Sequence, residues 1–193
     1  MLEQMSLSHR DPEFVIFTGP MFSSKTSKLI SAIDRYKYQS RNVAVFKSRM
    51  DSRYDRERIL THSGIGIDAI CVSHGHDLMR HVDEMSSCDV IALDEAFMID
   101  GVASILLDFY RSGKTIVVSS IQLSASGLPF DEMKEMMPYA TKIEVCPAVC
   151  LLTGRDAYYT KRKQEGLNEI AVGGSDMYFP VCWEQHHFMN KRD

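Results

Sequence analysis

The chain has no long apolar segment and no excess of positive charge. It carries 22 Lys and Arg against 26 Asp and Glu in 193 residues, a net charge of -4, which argues against non-specific binding to nucleic acid or to a membrane surface. No run reaches the roughly 18 apolar residues of a membrane-spanning helix. The polar start, residues 1–13, lacks the apolar core of a signal peptide. We therefore expect a cytoplasmic protein that binds neither nucleic acid nor membrane.

Cysteine is also scarce, and its number is odd. The five cysteines stand at positions 71, 88, 146, 150 and 182. An odd number does not complete a disulfide framework, so free thiols or a metal site are the better interpretation. Cys146 and Cys150 are separated by three residues, as are Cys182 and His186, so these four residues could hold a structural zinc ion. Buried thiols, with His186 on a terminal tail, are the alternative.

What is present indicates an ordinary globular protein, with 45% hydrophobic and 25% charged residues. The most informative stretch is 14–30. The apolar run Phe14–Phe17 is typical of a strand buried on both faces of a parallel sheet, and Leu29 and Ile33 have helical spacing. The turn between them ends in Lys-Thr, so strand, turn and helix together predict a phosphate-binding loop whose helix N-terminus binds polyphosphate.

This loop supplies the candidate ATP-binding residues. Lys25 would neutralise the β- and γ-phosphates, and the Thr26 hydroxyl would bind Mg²⁺. Ser24 stands where the pattern has glycine, which allows backbone to approach phosphate without a Cβ. A turn whose serines cap the helix is therefore an alternative. The candidate set is Gly19, Pro20, Met21, Phe22, Ser23, Ser24, Lys25, Thr26 and, from a later strand, Asp94.

Two acids follow another apolar run, Val90–Leu93. The carboxyl ends of strands are where α/β proteins bind ligands. We expect Asp94 to hold Mg²⁺ beside Thr26 and Glu95 to accept a proton from an attacking hydroxyl. Acids that merely favour a helix N-terminus are the alternative. In the charged loop 48–66, Asp51 and Arg53 are candidates for steadying a transferred phosphate, or else solvated charges.

The predicted fold class is α/β, a P-loop parallel sheet flanked by helices. Further strands are expected at 42–47, 68–72, 115–119 and 142–145, and helices at 76–85 and 102–110. Prolines, glycines and cysteines concentrate after residue 145. We predict a flexible leader at 1–13, an α/β nucleotide-binding domain at 14–145 and a small loop-rich domain at 146–193, stapled by zinc if the metal site exists.

Seven stretches, in order, resemble the motifs of the type II thymidine kinases, the family found in bacteria, animals, poxviruses and some phages. GPMFSSKTSKLI is similar to the family's GPMFSGKSTELI, and Leu93-Asp94-Glu95-Ala96 to its DEAQFF. The others are Lys47, Asp51, Arg53 and Tyr54 in one loop; Thr61-His62-Ser63-Gly64; Pro129-Phe130; the run AYYTKR at 157–162; and GGSDMY at 173–178, followed by Cys182.

The resemblance implies transfer of the γ-phosphoryl group of ATP to the 5′-hydroxyl of thymidine, with Mg²⁺ as cofactor. It makes Glu95 the proton acceptor, places Arg53 near the transferred phosphate with Asp51 as its partner, and implies a homotetramer. The segment at 173–178 becomes a lasso over the nucleoside. The substrate-binding residues it implies are Asp51, Met21, Phe130, Thr160, Val172, Gly173, Gly174, Ser175 and Tyr178.

The sequence departs from the family pattern at several positions. Phe97 replaces a glutamine, and Ala125 replaces an aromatic that lines the nucleoside pocket. The second members of the family's two cysteine pairs are Thr153 and Gln185, so zinc is either shifted to the four residues given above or absent. Two further alternatives therefore stay open: a catalytically weak nucleotide-binding relative, and a P-loop kinase with a different nucleoside acceptor.

Overall fold

The computed structural model describes residues 11–50, 58–61, 64–163, 173–187 and 189. The strands are β1 (Phe14–Thr18), β2 (Val43–Ser48), β3 (Arg58–Leu60), β4 (Gly66–Asp68), β5 (Ile70–Val72), β6 (Val90–Asp94), β7 (Thr115–Ser120), β8 (Lys142–Val145), β9 (Ala148–Val149), β10 (Asp156–Ala157), β11 (Tyr159–Arg162) and β12 (Tyr178–Val181). The α-helices are α1 (Lys25–Tyr38), α2 (Gly75–Leu78), α3 (Val82–Ser87), α4 (Val102–Arg111) and α5 (Asp131–Met136).

A six-stranded sheet in the order β5-β2-β6-β7-β1-β8 forms the centre of the molecule. Every pairing in it is parallel, which confirms the predicted fold class. β1, β6 and β7 are buried along their whole length, because helices cover both faces of a parallel sheet.

Alternate residues of β1 belong to two different parts of the core. Phe14 and Ile16 pack in the cluster that contains Leu106 of α4 and Met133 of α5. Val15 and Phe17 pack on the other face, in the cluster that contains Leu29, Ile33 and Tyr36 of α1. The period of two along a strand explains this division, and the apolar face of α1 is the one that its spacing predicts.

Two predicted elements are interrupted. The strand expected at 68–72 breaks at Ala69: β4 pairs with β3 in a separate antiparallel pair, whereas β5 joins the central sheet beside β2. The helix expected at 76–85 is replaced by α2, a 3-10 helix at Met79–His81, and α3. The predicted spacing places Leu78 and Met85 in the core, where they are, but it does not show where the helical turns change.

After β8 the described chain forms two small antiparallel sheets, β9 with β10 and β11 with β12. Their shared apolar cluster contains Ala148, Cys150, Ala157, Val181 and Cys182. The domain boundary between 145 and 146 stays a prediction. Within the described ranges no helix has the length and apolar character needed to cross a bilayer.

Candidate active site

The carboxyl edge of the three central strands carries polar side chains. β1 ends at Thr18, β6 at Asp94, and β7 at Ser119 and Ser120, and all four residues are buried. Thr18 donates a hydrogen bond through Oγ1 to Oε1 of Gln122, at 2.5 Å. Burial of this many polar groups is costly unless they are paired, so the edge is a set of mutually positioned side chains.

The loop after β1 requires unusual backbone geometry at three residues. Gly19 has a φ of 144°, and a Cβ there would collide with the carbonyl oxygen of Cys146. Phe22 and Ser24 have φ values of 64° and 60°, in the left-handed region that favours glycine. Ser24 stands at the N-cap position of α1 but makes no side-chain capping hydrogen bond there, so the structure does not show the serine side-chain cap of the alternative interpretation.

Lys25 lies inside this loop. Its side chain is buried, with 5% of the residue exposed. Its ammonium group donates a hydrogen bond to the carbonyl oxygen of Pro20 at 2.6 Å and lies 3.4 Å from Oγ of Ser23. The loop is therefore wrapped around a positive charge at the N-terminus of α1, which is the arrangement that binds a polyphosphate.

Thr26 and Asp94 bring the loop and β6 together. Oγ1 of Thr26 donates to the Asp94 carboxylate, at 3.3 Å from Oδ2 and 3.4 Å from Oδ1. The hydroxyl of Ser119 also donates to Oδ1 of Asp94. A hydroxyl beside a carboxylate is an all-oxygen donor set, which fits the ligand preference of Mg²⁺. The residues predicted to hold magnesium are thus adjacent.

Glu95 has a strained backbone. Its φ and ψ are 55° and 47°, a left-handed conformation that costs a non-glycine residue free energy and recurs at functional sites. A 3-10 helix, Ala96–Met98, follows directly. The N–H of Phe97 donates to Oγ of Ser120 at 3.1 Å. This bond anchors the turn that follows Glu95 to β7.

Apolar side chains gather next to Glu95. Met21, Phe97, Ile121 and Tyr178 form a buried group, which we call the edge cluster. The partly buried residues that pack against it are Phe22, Met98, Ala125, Phe130 and Met177. Of the residues predicted to bind substrate, Met21, Phe130 and Tyr178 thus lie together. The cluster brings together three parts of the chain. They are the loop 19–24 between β1 and α1, which we call the phosphate loop, the segments that follow β6 and β7, and the C-terminal region.

Thr160 and the segment 173–178 approach the phosphate loop from the C-terminal side. The N–H of Met21 donates to Oγ1 of Thr160 at 3.2 Å. The carbonyl oxygen of Gly174 accepts from the N–H of Tyr178 at 3.0 Å, which forms a turn leading into β12. The N–H of Gly174 is bonded to Oδ1 of Asp176 at 2.9 Å, and Ser175 is exposed. The roles predicted for Gly173, Gly174 and Ser175 stay predictions.

Some predicted site residues lie outside the described residues. These are Asp51, Arg53 and Tyr54 of the charged loop, His62 and Ser63 of the next motif, and Val172. Their roles stay predictions.

The candidate zinc ligands are not brought together. Cys146 packs with α1 and β1 on one face of the sheet, whereas Cys150 and Cys182 lie in the C-terminal cluster. His186 is buried, not on a tail, and its ring lies against that of Tyr159, with centroids 5.5 Å apart and planes tilted by 52°. Within the described part of the chain, no three His, Cys, Asp or Glu residues are grouped as metal ligands. The predicted zinc site from Cys146, Cys150, Cys182 and His186 is therefore wrong as a ligand set.

Hydrogen-bond donors surround the two C-terminal sulfurs instead. Oγ1 of Thr153 and Nη2 of Arg155 each lie 3.6 Å from Sγ of Cys182. Burial raises the pKa of Cys150, but hydrogen bonds from the Thr153 side chain and from the backbone of Cys182, Leu152 and Thr153 outweigh it and lower that pKa to about 6. Arg155 is in turn paired with Glu184, with Nη2 at 2.5 Å from Oε2.

The neutral form of His186 is favoured by its surroundings. Burial is the main cause that lowers the pKa of His186, with a smaller contribution from His187, while backbone hydrogen bonds at Thr160 and Ala125 oppose it. Nδ1 of His186 accepts the N–H of Met189 at 3.4 Å. The ring is thus part of the packing between β11 and the chain end.

Sequence reasoning missed Ser119, Ser120 and Gln122. All three stand at or just after the end of β7, where the rule that α/β proteins bind ligands beyond the carboxyl ends of strands would have found them. It also read Phe97 only as a departure from the family pattern, although the residue lies within the edge cluster.

The sheet, the loop around Lys25 and the acids at the end of β6 define a P-loop nucleotide-binding fold. A family model described as thymidine kinase matches residues 13–187, and the chain therefore belongs to the thymidine kinase family.

Solved structures show more distant similarities. They include AMPPCP-bound DnaA from Aquifex aeolicus (14% identity, TM-score 0.45, covering 72% of this chain and 41% of that one). A DNA replication initiation factor has 14% identity and a TM-score of 0.44, with 69% of this chain and 40% of that one covered. The ATPase DotB of Legionella pneumophila has 12% identity and a TM-score of 0.47, with 76% of this chain and 44% of that one covered. The chain thus spans less than half the length of these proteins, and similarities at this level do not bear on its function.

Proposed function

We propose that the protein is a thymidine kinase that transfers the γ-phosphoryl group of ATP to the 5′-hydroxyl of thymidine. The family assignment over residues 13–187 supports a kinase. The observation that carries the proposal is the contact of Thr26 with Asp94 at 3.3 Å, with Glu95 next in the chain. This contact joins the loop around Lys25 to the end of β6, where the next residue, Glu95, has a carboxylate that can accept the proton of an incoming hydroxyl.

The phosphate loop binds and orients ATP. Backbone N–H groups at the start of α1 and the Lys25 ammonium attract the β- and γ-phosphates, so that the moving group lies above the end of β1. Thr26 and Asp94 would hold Mg²⁺, which neutralises charge on the phosphates. Most of the rate enhancement then comes from positioning and charge stabilisation, because phosphoryl transfer requires little covalent chemistry from the protein.

Glu95 accepts the proton of the 5′-hydroxyl. Support comes from the left-handed backbone of Glu95 and from the bond that ties the next turn to Ser120, which would orient the carboxylate toward the acceptor. Arg53, with Asp51 as its partner, steadies the transferred phosphoryl group in this proposal. The acceptor's sugar and base extend from Glu95 toward the edge cluster and the segment 173–178.

The same proposal includes the assembly and location that the family resemblance implies. The active form is a homotetramer in the cytoplasm, with thymidine and ATP as its small-molecule partners and with no nucleic-acid or membrane partner. Size-exclusion chromatography with light scattering measures the assembly directly, and a monomer at micromolar concentration would contradict it.

An acceptor panel tests the function. The purified protein, ATP and Mg²⁺ are incubated with thymidine, deoxyuridine, deoxycytidine, deoxyadenosine and deoxyguanosine, and monophosphate formation is measured. We expect thymidine to have the highest kcat/KM. Preference for a purine nucleoside would overturn the assignment of the acceptor while leaving a kinase.

Glu95→Gln is the matched control variant for this panel. It keeps the size of the side chain and removes its basicity, and loss of a general base lowers kcat by about 10²- to 10⁴-fold. Thymidine binding, measured by calorimetry, should remain. If wild type shows no turnover and binds ligand as Glu95→Gln does, the protein is a nucleotide-binding module and not an enzyme.

A further inference from the structure

Phe97 stands two residues after the proposed proton acceptor, Glu95. The Phe97 side chain is buried, with 7% of the residue exposed, yet it does not enter either large core cluster. It lies in the edge cluster with Met21, Ile121 and Tyr178. Phe97 therefore places an aromatic ring between the phosphate loop and the C-terminal region, two residues beyond Glu95.

The ring of Phe97 is held by a neighbouring ring and by its own backbone. Its centroid lies 4.6 Å from that of Phe130, with the planes tilted by 39°. The backbone N–H is bonded to Oγ of Ser120, which ties the main chain of Phe97 to β7. Rigid aromatic rings with defined partners are the groups that stack on nucleobases.

Ala125 packs against the edge cluster through a methyl group only. Phe97 also lines a cavity of about 510 Å³ together with Met98, Leu128 and Phe130. The same cavity has polar lining residues, among them Asp100, Asp131 and Glu132, and ligand sites combine apolar walls with polar groups that fix orientation.

We propose that Phe97 is a specificity-determining residue whose ring packs against the base of the acceptor nucleoside, a role that rests on the kinase function proposed above. A nucleoside whose 5′-hydroxyl reaches Glu95 directs its base toward the edge cluster. Phe97 then supplies the aromatic face that Ala125 does not. The ligand class is a deoxynucleoside, whose base would lie against the paired rings of Phe97 and Phe130.

The test compares Phe97→Ala with Phe97→Tyr. Loss of a ring that stacks on a base weakens binding by about 5- to 100-fold. We expect Phe97→Ala to raise KM for thymidine and its calorimetric Kd by that factor, with KM for ATP unchanged. Phe97→Tyr keeps the ring and should retain wild-type values. Phe97→Leu preserves apolar volume and should shift KM in the same direction if the alanine variant does not fold.

Phe109→Ala is the matched control. Phe109 is a partly buried ring on α4 that packs against the main core and is not a member of the edge cluster. Its loss should lower the melting temperature without changing the thymidine Kd. The proposal fails if Phe97→Ala and Phe109→Ala behave alike, or if KM for ATP rises in place of KM for thymidine.

Failure of the proposed function gives a different result. Wild type that turns over no nucleoside contradicts the kinase, but calorimetry with thymidine still tests Phe97. Wild type that neither binds nor phosphorylates thymidine overturns both proposals. An active wild type whose thymidine KM does not respond to Phe97→Ala overturns only the role of Phe97.

Discussion

At the carboxyl edge of the parallel sheet, Thr18, Asp94 and Ser120 each end a strand of five or six buried residues. In the C-terminal region, Cys150 and Cys182 follow strands of only two and four residues. The side chains at the sheet edge are positioned by the register of parallel strands whose main chains are paired along their length. The positions of the two cysteine sulfurs depend on a few side-chain contacts. The positions of the side chains at the sheet edge therefore follow from the strands themselves, whereas the positions of the two sulfurs should be more sensitive to changes in the neighbouring side chains.

Within this comparison, the largest expected effect is a difference in kcat between alanine variants of two lysines in α1. Lys25 is buried in the phosphate loop, and Lys28, less than one turn later, is exposed and paired with Glu144 at 3.0 Å. Removing a preorganised charge contact to the transition state costs about 10²- to 10³-fold in kcat, so we expect Lys25→Ala to have that loss and an unchanged fold.

Lys28→Ala is the control for this comparison. Its ion pair is solvent-exposed, and such pairs contribute about 1 kcal/mol or less to stability. Steady-state kinetics and circular dichroism measure both variants. Equal losses of activity in the two would show that the loop around Lys25 does not bind phosphate.

The C-terminal region is tested by giving it a metal. In Thr153→Cys/Gln185→Cys, four thiols stand at the spacing of two zinc-binding turns. Zinc that binds the folded chain at 100 to 1,000 times its Kd adds about 3 to 4 kcal/mol, or a rise of roughly 6 to 16 °C in melting temperature for a chain of this size. A chelator should remove the gain.

Wild type and a double serine variant are the references. In wild type, hydrogen bonds from Thr153 and Arg155 surround the sulfurs, so we expect no change in melting temperature when chelator is added. Thr153→Ser/Gln185→Ser should bind no zinc. A wild-type chain that is purified with one equivalent of zinc and melts earlier after chelation would contradict this account of the C-terminal region.

The smallest expected effect is at Ser24. Its left-handed conformation costs a non-glycine residue about 1 to 2 kcal/mol, and the greater chain entropy of unfolded glycine offsets part of that gain. Ser24→Gly should leave stability within about 1 kcal/mol of wild type and kcat/KM equal or higher. A large loss of activity would show that the serine side chain itself has a role in the loop.

The sequence was sufficient for the elements buried on both faces. Phe14–Phe17 and Val90–Leu93 are uninterrupted apolar runs because helices cover them on both sides, and this places the loop and Asp94 without any structure. The break at Ala69 could not be found in this way, since β4 and β5 pair with different strands. Pairing partners of such short segments depend on tertiary contacts that single-sequence patterns do not contain.

The candidate site shows the same limit. Comparison with the family pattern shows that Ala125 lacks an aromatic side chain. Only the fold shows that Phe97 packs in the cluster against which Ala125 lies. The spacing of Cys146 and Cys150 suggested one metal site. The N–H of Cys146 continues the hydrogen bonding of β8 by donating to the carbonyl oxygen of Thr18 at 2.7 Å, so that residue stays with the central sheet while Cys150 turns away.

Cys146 also explains why glycine is needed at position 19, the first glycine of the loop motif. A side chain at Gly19 would strike the main chain of the residue that follows β8, whatever ligand the loop binds. Glycine at this position therefore allows the chain segments that follow the adjacent parallel strands β1 and β8 to approach each other closely. Substitutions at position 19 should therefore lower the stability of the fold as well as the affinity for nucleotide. A relative that had lost nucleotide binding would still need this glycine to fold.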